Sequence, residues 1–79
     1  MIKRVKIYTM PICIYCDTMK NFLEKNKIKF EEIDILEDKK TRDEIIKRSG
    51  FSSVPIIEID EKFYTIADKN KIKKILKID

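Results

Sequence analysis

Hydrophobic and polar residues alternate near the start of the chain and then change to a helical spacing. The alternation from Val5 to Tyr8 predicts a first strand over about Arg4 to Thr9. From Cys13 to about Asn26, apolar residues recur every three or four positions, which predicts a helix with one apolar face. The residues of that face are Cys16, Met19, Phe22 and Leu23.

The same periodicities predict three further strands and two further helices. Gly50, the only glycine, should end the second helix because it adopts the left-handed conformation that closes helices. Asp60-Glu61 is interpreted as a hairpin turn. The predicted elements are a strand from Ile28 to Ile35, a helix from about Asp38 to Ser49, strands at Ile56 to Ile59 and Lys62 to Tyr64, and a last helix whose apolar side is Ile72, Ile75 and Leu76.

This βαβαββα order predicts an α/β fold with a four-stranded mixed sheet and helices on both faces. The first two strands should be parallel with a right-handed crossover, and the final hairpin should add two antiparallel strands to the same sheet. With 79 residues, the chain is expected to form a single domain, residues 1–79. Such sheets place their sites where strands end beside helix N-termini, and Cys13 lies at such a position.

Charge adds little to this description. The net charge is +4, and the densest basic run is Lys69, Lys71, Lys73, Lys74 and Lys77. We interpret this run as the solvated face of the last helix and expect no nucleic acid partner, because no aromatic residues are interleaved with it. The surplus positive charge would favour docking onto acidic protein partners.

The N-terminal residues contain no apolar leader, and nowhere do 18 uncharged apolar residues occur together. We therefore expect a cytoplasmic protein with no membrane partner, and a monomer. Because thiols are kept reduced in that compartment, a disulfide there is more typical of a catalytic intermediate than of a structural bond.

Both cysteines lie in one motif, Cys13-Ile14-Tyr15-Cys16. Two thiols at this spacing close a disulfide with little chain rearrangement, and the start of a helix favours a thiolate on the first sulfur. Cys13 is therefore predicted to attack and Cys16 to resolve. Lys20 should share their helix face, where it would either stabilise thiolate charge or lie solvated on the surface.

Other interpretations of the motif remain open. A structural zinc ion needs four ligands, and the chain has no histidine and no third cysteine, so no metal is expected unless carboxylates complete a site. The alternatives are two buried structural cysteines, or a metal or iron–sulfur cluster shared between two chains.

Along nearly its whole length the chain resembles the glutaredoxins, which have the thioredoxin fold. The matching segments are Ile7-Tyr8-Thr9, Cys13-Ile14-Tyr15-Cys16, Ile45-Ile46-Lys47-Arg48-Ser49-Gly50 and Ser53-Val54-Pro55. The resemblance implies a cis peptide bond before Pro55, opposite the dithiol. It also implies that the Val54 backbone aligns an extended substrate and that Tyr15 packs beside the sulfurs.

The departures from the family pattern concern glutathione. Ile14 replaces the usual proline of the motif, and Met10 stands where a lysine often meets the glycyl carboxylate. The Gly-Gly-x-x-Asp segment that holds the γ-glutamyl end reads Thr65-Ile66-Ala67-Asp68-Lys69 here. Without glycines the backbone approaches a ligand less closely, so weak glutathione binding is predicted, with Asp68 as the candidate contact.

These features predict a thiol–disulfide oxidoreductase that reduces protein or mixed disulfides and holds no tightly bound cofactor. Two electron sources are open, and the overall match to the glutaredoxins favours glutathione as a co-substrate, although the missing glycines predict that it binds weakly. In the alternative, the chain resembles the redoxins that lack a glutathione site, and this resemblance implies that thioredoxin reductase supplies the electrons and that the protein serves ribonucleotide reductase. A further alternative is a binding module, either a dimer bridged by an iron–sulfur cluster with glutathione as co-ligand or a protein-interaction domain.

Overall fold

The computed structural model describes residues 4–78. Its elements follow the predicted order, with a short 3₁₀ turn, Ile66–Asp68, added before the last helix. The strands are β1 (Val5–Thr9), β2 (Glu31–Asp34), β3 (Ile56–Ile59) and β4 (Lys62–Tyr64), and the helices are α1 (Ile14–Lys25), α2 (Lys39–Ser49) and α3 (Lys69–Leu76).

The four strands form one mixed sheet in the order β2-β1-β3-β4. β1 is parallel to β2 and antiparallel to β3, and β3 is antiparallel to β4. The hairpin turn lies at Asp60 and Glu61, which both adopt positive φ angles, 49° and 71°. Two such residues in succession are typical of a turn that matches strand twist. The predicted sheet and its mixed pairing are therefore confirmed.

Helices cover both faces of the sheet, as predicted. α1 and α3 pack on one face around a cluster of buried residues: Val5, Ile7, Met19, Phe22, Leu23, Ile57, Ile59 and Ile72. α2 packs on the other face, where the buried residues are Tyr8, Ile35, Ile45 and Ile56. Alternation along β1 explains this division, because successive side chains of a strand point to opposite faces.

The predicted second strand was too long. It was expected from Ile28 to Ile35, but β2 is only Glu31–Asp34. α1 ends in a Schellman motif, in which Lys27 has a φ of 59° and the Ile28 N–H donates to the Leu23 carbonyl at 2.9 Å. Ile28 and Phe30 then pack on the core from the connecting loop.

The ends of α2 agree with the sequence. The Asp38 carboxylate caps its N-terminus by accepting a 3.0 Å bond from the Thr41 N–H. This bond is the main cause that lowers the pKa of Asp38. Gly50 closes the helix with a φ of 78°.

None of the helices in residues 4–78 is long and apolar enough to cross a membrane.

Candidate active site

The two cysteines lie at the N-terminus of α1, which begins one residue after Cys13. Cys13 is the N-cap residue, and its Sγ accepts a hydrogen bond from the Cys16 N–H at 3.1 Å. A disulfide joins Cys13 and Cys16, whose Cα atoms are 5.2 Å apart. The helix therefore directs one of its unpaired N–H groups at the first sulfur, an arrangement that favours negative charge there.

The two sulfurs differ in access to solvent. Cys16 is 1% exposed and belongs to the buried face of α1, whereas Cys13 is partly exposed at the helix start. An incoming disulfide can therefore approach Cys13 but not Cys16. This asymmetry supports the predicted roles of attacker and resolver, which remain predictions about chemistry.

The sheet register brings the Val54-Pro55 segment to the same edge as Cys13. Tyr8 of β1 pairs with Ile56, the first residue of β3, so the end of β1 lies beside the residues that precede β3. The Val54-Pro55 peptide bond is cis, as the resemblance implied. The Val54 backbone forms no hydrogen bond with any other residue of 4–78. It is therefore able to pair with an extended substrate chain.

The Thr65-to-Asp68 segment also reaches this edge, because β4 ends at Tyr64 opposite Ile57. The Asp68 carboxylate accepts a 2.9 Å bond from the Thr65 N–H and also lies 3.3 Å from the Thr65 hydroxyl. Thr65 has a φ of −118°, an ordinary extended conformation. The predicted contact Asp68 is thus at the edge, but one carboxylate oxygen is already bound within the chain.

Lys20 lies one turn beyond Cys16 on α1, and its ammonium is held by two carboxylates. It donates to Glu32 Oε2 at 3.0 Å and lies 3.6 Å from Asp17 Oδ1. The bond to Glu32 raises the pKa of Lys20 and lowers that of Glu32. The hydroxyl of Thr9, the last residue of β1, donates to the same Oε2 at 2.9 Å. The role of Lys20 toward the thiolate stays a prediction.

An exposed apolar rim surrounds the cysteines. It consists of Ile12, which is fully exposed, Ile14 at 78% exposure and Tyr15 at 63%. Ile12 adopts a φ of 53°, an unfavourable conformation for a β-branched residue. The resemblance implied that Tyr15 packs beside the sulfurs as part of the substrate site, whereas Ile12 was not singled out from the sequence. The only signal for it was an isoleucine directly before the first cysteine.

The arrangement defines a class of protein: a thioredoxin-type sheet with a dithiol at the N-terminus of its first helix. The glutaredoxin family model matches residues 5–64. The chain belongs to the glutaredoxin family, and it is a thiol–disulfide oxidoreductase.

Two curated relatives and one solved structure illustrate the relationship. A glutaredoxin-like 8.6 kDa protein from the rubredoxin operon of Clostridium pasteurianum is 33% identical, over 91% of this chain and 96% of its own length. Glutaredoxin 3 of Escherichia coli K12 is 43% identical, over 71% of this chain and 68% of its own. A crystal structure of a mutant of the thioredoxin-like protein BC3987 superposes with a TM-score of 0.88 at 26% identity, covering 96% and 97% of the two chains.

Proposed function

We propose that this protein reduces protein disulfides by a two-cysteine mechanism. The Cys13 thiolate attacks one substrate sulfur, forming a mixed disulfide and releasing the other substrate sulfur as a thiolate. The Cys16 thiolate then attacks Cys13 Sγ, which releases the second substrate thiolate and leaves the Cys13–Cys16 disulfide. Two electrons from an external dithiol or from two thiols return the protein to its reduced form.

The observation that carries the proposal is the unequal exposure of two sulfurs in one motif. Cys13 is partly exposed and its Sγ accepts a hydrogen bond from a helix N–H, while Cys16 is 1% exposed. A buried thiol cannot meet a protein substrate, but it can reach a sulfur already bonded to its neighbour. The geometry therefore favours sequential use of the two cysteines.

Single serine variants test the mechanism. Cys13→Ser should abolish reduction of a protein disulfide, because no exposed sulfur remains. Cys16→Ser should still attack and should accumulate as a mixed disulfide detectable by mass spectrometry, because the resolving thiol is missing. Full dithiol turnover by Cys13→Ser would refute the assignment, and trapping through Cys16 in that variant would reverse it.

The Val54 backbone would align the substrate. Its peptide groups have no partner within residues 4–78 and lie at the edge that holds Cys13. An extended substrate strand could therefore add two main-chain hydrogen bonds there while its sulfur lies against Cys13. Backbone contacts of this kind accept many sequences, so the choice of substrate must depend on side chains elsewhere.

The electron donor is the second question, and the Thr65-to-Asp68 segment favours a donor other than glutathione. Its backbone has no glycine, and the Asp68 carboxylate already binds the Thr65 N–H at 2.9 Å. A γ-glutamyl group would have to displace that contact. We therefore propose that a thioredoxin reductase reduces the Cys13–Cys16 disulfide more efficiently than glutathione does.

Two coupled assays decide between the donors. NADPH consumption is followed with glutathione and glutathione reductase in one assay and with thioredoxin reductase in the other, using the same disulfide substrate. Faster turnover with thioredoxin reductase is expected. Faster turnover with glutathione would contradict the proposal and would show that the segment binds the tripeptide without glycines.

A further inference from the structure

A groove of about 360 Å³ separates α1 from α3 on the outer surface of the helical layer. All of its charged residues are lysines. Phe22 belongs to its lining, and the remaining members are neutral and polar. The lysines are Lys25 of α1 and Lys69 and Lys73 of α3, and Thr18 and Asn21 are among the neutral residues.

Two of these lysines are held against an aromatic ring. The Lys69 ammonium lies 4.9 Å from the centroid of the Phe22 ring, and the Lys73 ammonium lies 5.9 Å from it. Phe22 itself is 9% exposed. These cation–π contacts fix both ammonium groups above the ring, which lowers the entropy that they would lose on binding an anion.

The groove lysines have no counter-charge within the described chain. Lys25, Lys69 and Lys73 form no ion pair with a carboxylate of residues 4–78. Lys20, one face away on α1, differs, since two carboxylates hold it. Three neighbouring cations without an acidic partner make a site whose complement is a negatively charged group.

The groove begins close to the redox site. Thr18 is five residues after Cys13, which is about 7.5 Å along the helix axis. Ile14, Thr18, Asn21 and Lys25 recur at spacings of four, three and four, so they follow one stripe of α1 from the apolar rim into the groove. A chain whose sulfur lies at Cys13 can therefore continue into the groove.

We propose that the groove binds an acidic segment of the substrate protein beside the disulfide that Cys13 attacks. This inference rests on the proposed function and specifies its substrate class. Residues four apart on a helix are about 6 Å apart along its axis, and alternate residues of an extended chain are separated by about 6.6 Å. Acidic residues at alternate positions would therefore match Lys69 and Lys73.

A protein segment fits better than a nucleic acid. The only aromatic ring in the groove, Phe22, is covered by two ammonium groups, so it offers no free face for stacking a base. A nucleic acid also has no disulfide for the adjacent cysteines. The acidic segment and the disulfide would be parts of one substrate.

Two matched peptides test the proposal. Each peptide has a single cysteine. At alternate positions on both sides of it, one peptide has glutamate and the other has glutamine. The cysteine of each peptide is joined to thionitrobenzoate as a mixed disulfide. The reduced protein attacks the peptide sulfur and releases the coloured thiol. We expect the glutamate peptide to react about tenfold faster at low salt, with the advantage lost at high salt.

Matched lysine variants locate the effect. In Lys69→Gln/Lys73→Gln the ratio of the glutamate rate to the glutamine rate should fall to about two or three. Lys39→Gln/Lys47→Gln, on α2 at the other face of the sheet, loses the same charge and should keep the wild-type ratio.

Three outcomes would overturn the inference. Equal rates for both peptides, or an equal fall of the rate ratio in both lysine variants, would show that the groove does not bind the acidic segment. Either result would leave the proposed redox function intact. Inhibition by a single-stranded oligonucleotide at concentrations below those of the glutamate peptide would reassign the groove to nucleic acid. Release of no coloured thiol from either peptide would instead refute the proposed function itself.

Discussion

The hydroxyl of Tyr8 should stabilise the sheet that carries the redox site. Tyr8 donates a 2.7 Å hydrogen bond to Glu58 Oε1, and Arg48 Nη2 lies 3.4 Å from the other carboxylate oxygen. Tyr8 is 4% exposed and Glu58 7%. This contact joins β1, which leads to Cys13, to β3, which follows Pro55. Tyr8→Phe removes the donor and keeps the ring.

The magnitude follows from the burial of the carboxylate. A hydrogen bond to a charged group contributes about 1.5–3 kcal/mol, and Arg48 remains as a partner with a half-exposed side chain. We expect Tyr8→Phe to lower the free energy of unfolding by about 2 kcal/mol. For a domain of this size, that change lowers the melting temperature by roughly 8–16 °C.

Alkaline pH provides an independent signature of the same bond. Burial, and then the hydrogen bond to Glu58, raise the pKa of Tyr8 well above its usual value of 10.0. The stabilisation is therefore fully present below pH 10 and decreases as the pH rises above it, because only the unfolded chain then releases the proton. The wild-type protein should lose up to about 1.4 kcal/mol per pH unit from this residue. Tyr8→Phe should lack that loss.

Urea unfolding followed by circular dichroism measures both effects. Tyr64→Phe is the matched control, because the Tyr64 hydroxyl forms no hydrogen bond with residues 4–78. It should change the free energy of unfolding by less than about 0.5 kcal/mol. Equal effects of the two substitutions, or an unchanged alkaline dependence in Tyr8→Phe, would refute the reasoning.

Three further predictions concern the site. Thr65→Gly/Ile66→Gly should strengthen glutathione binding in an NMR titration of the Cys16→Ser protein, since β-branched side chains block close backbone approach; tight binding by the parent segment would contradict this. Ile12→Asn should raise the free energy of unfolding by about 1 kcal/mol, because asparagine tolerates the left-handed conformation seen at φ 53°. Thermal unfolding of both proteins measures that change. The lowered pKa of Glu32 implies that its contribution to stability is present above the ordinary value of 4.5 and is lost as the pH falls through the lowered value. Glu32→Gln should therefore lose less stability than the wild-type protein in acid, as measured by urea unfolding.

The sequence predicted those parts of the fold that local patterns determine. The bounds of β3 and β4 were correct, and Asp38 and Gly50 marked the two ends of α2, because short apolar runs, turn residues and helix caps are properties of neighbouring residues. The second strand was not determined locally. Parallel pairing places Glu31 opposite Lys6, near the start of β1, so the residues before Glu31 have little strand to pair with.

In the candidate site, too, only the features that depend on neighbouring residues were predictable from the sequence. The cysteine pair was evident from its spacing, and the structure places it at the helix start. The contact between Thr9 and Glu32 joins residues 23 positions apart, and that between Tyr8 and Glu58 joins residues 50 apart. Neither is encoded by a local motif, because each depends on which strands become neighbours. Predicting such contacts requires knowing the order of the strands in the sheet.

Two surfaces near Cys13 would recognise different features of a substrate. The apolar rim of Ile12, Ile14 and Tyr15 offers apolar contact at the sulfur and does not discriminate between charges. The lysine groove begins one to two helical turns away and would respond to charge alone. In the proposed function the Thr65-to-Asp68 segment would bind a small ligand weakly, so selectivity would depend on surfaces that only a protein substrate spans. Recognition by charge beside the disulfide would then matter more here than recognition of a tripeptide.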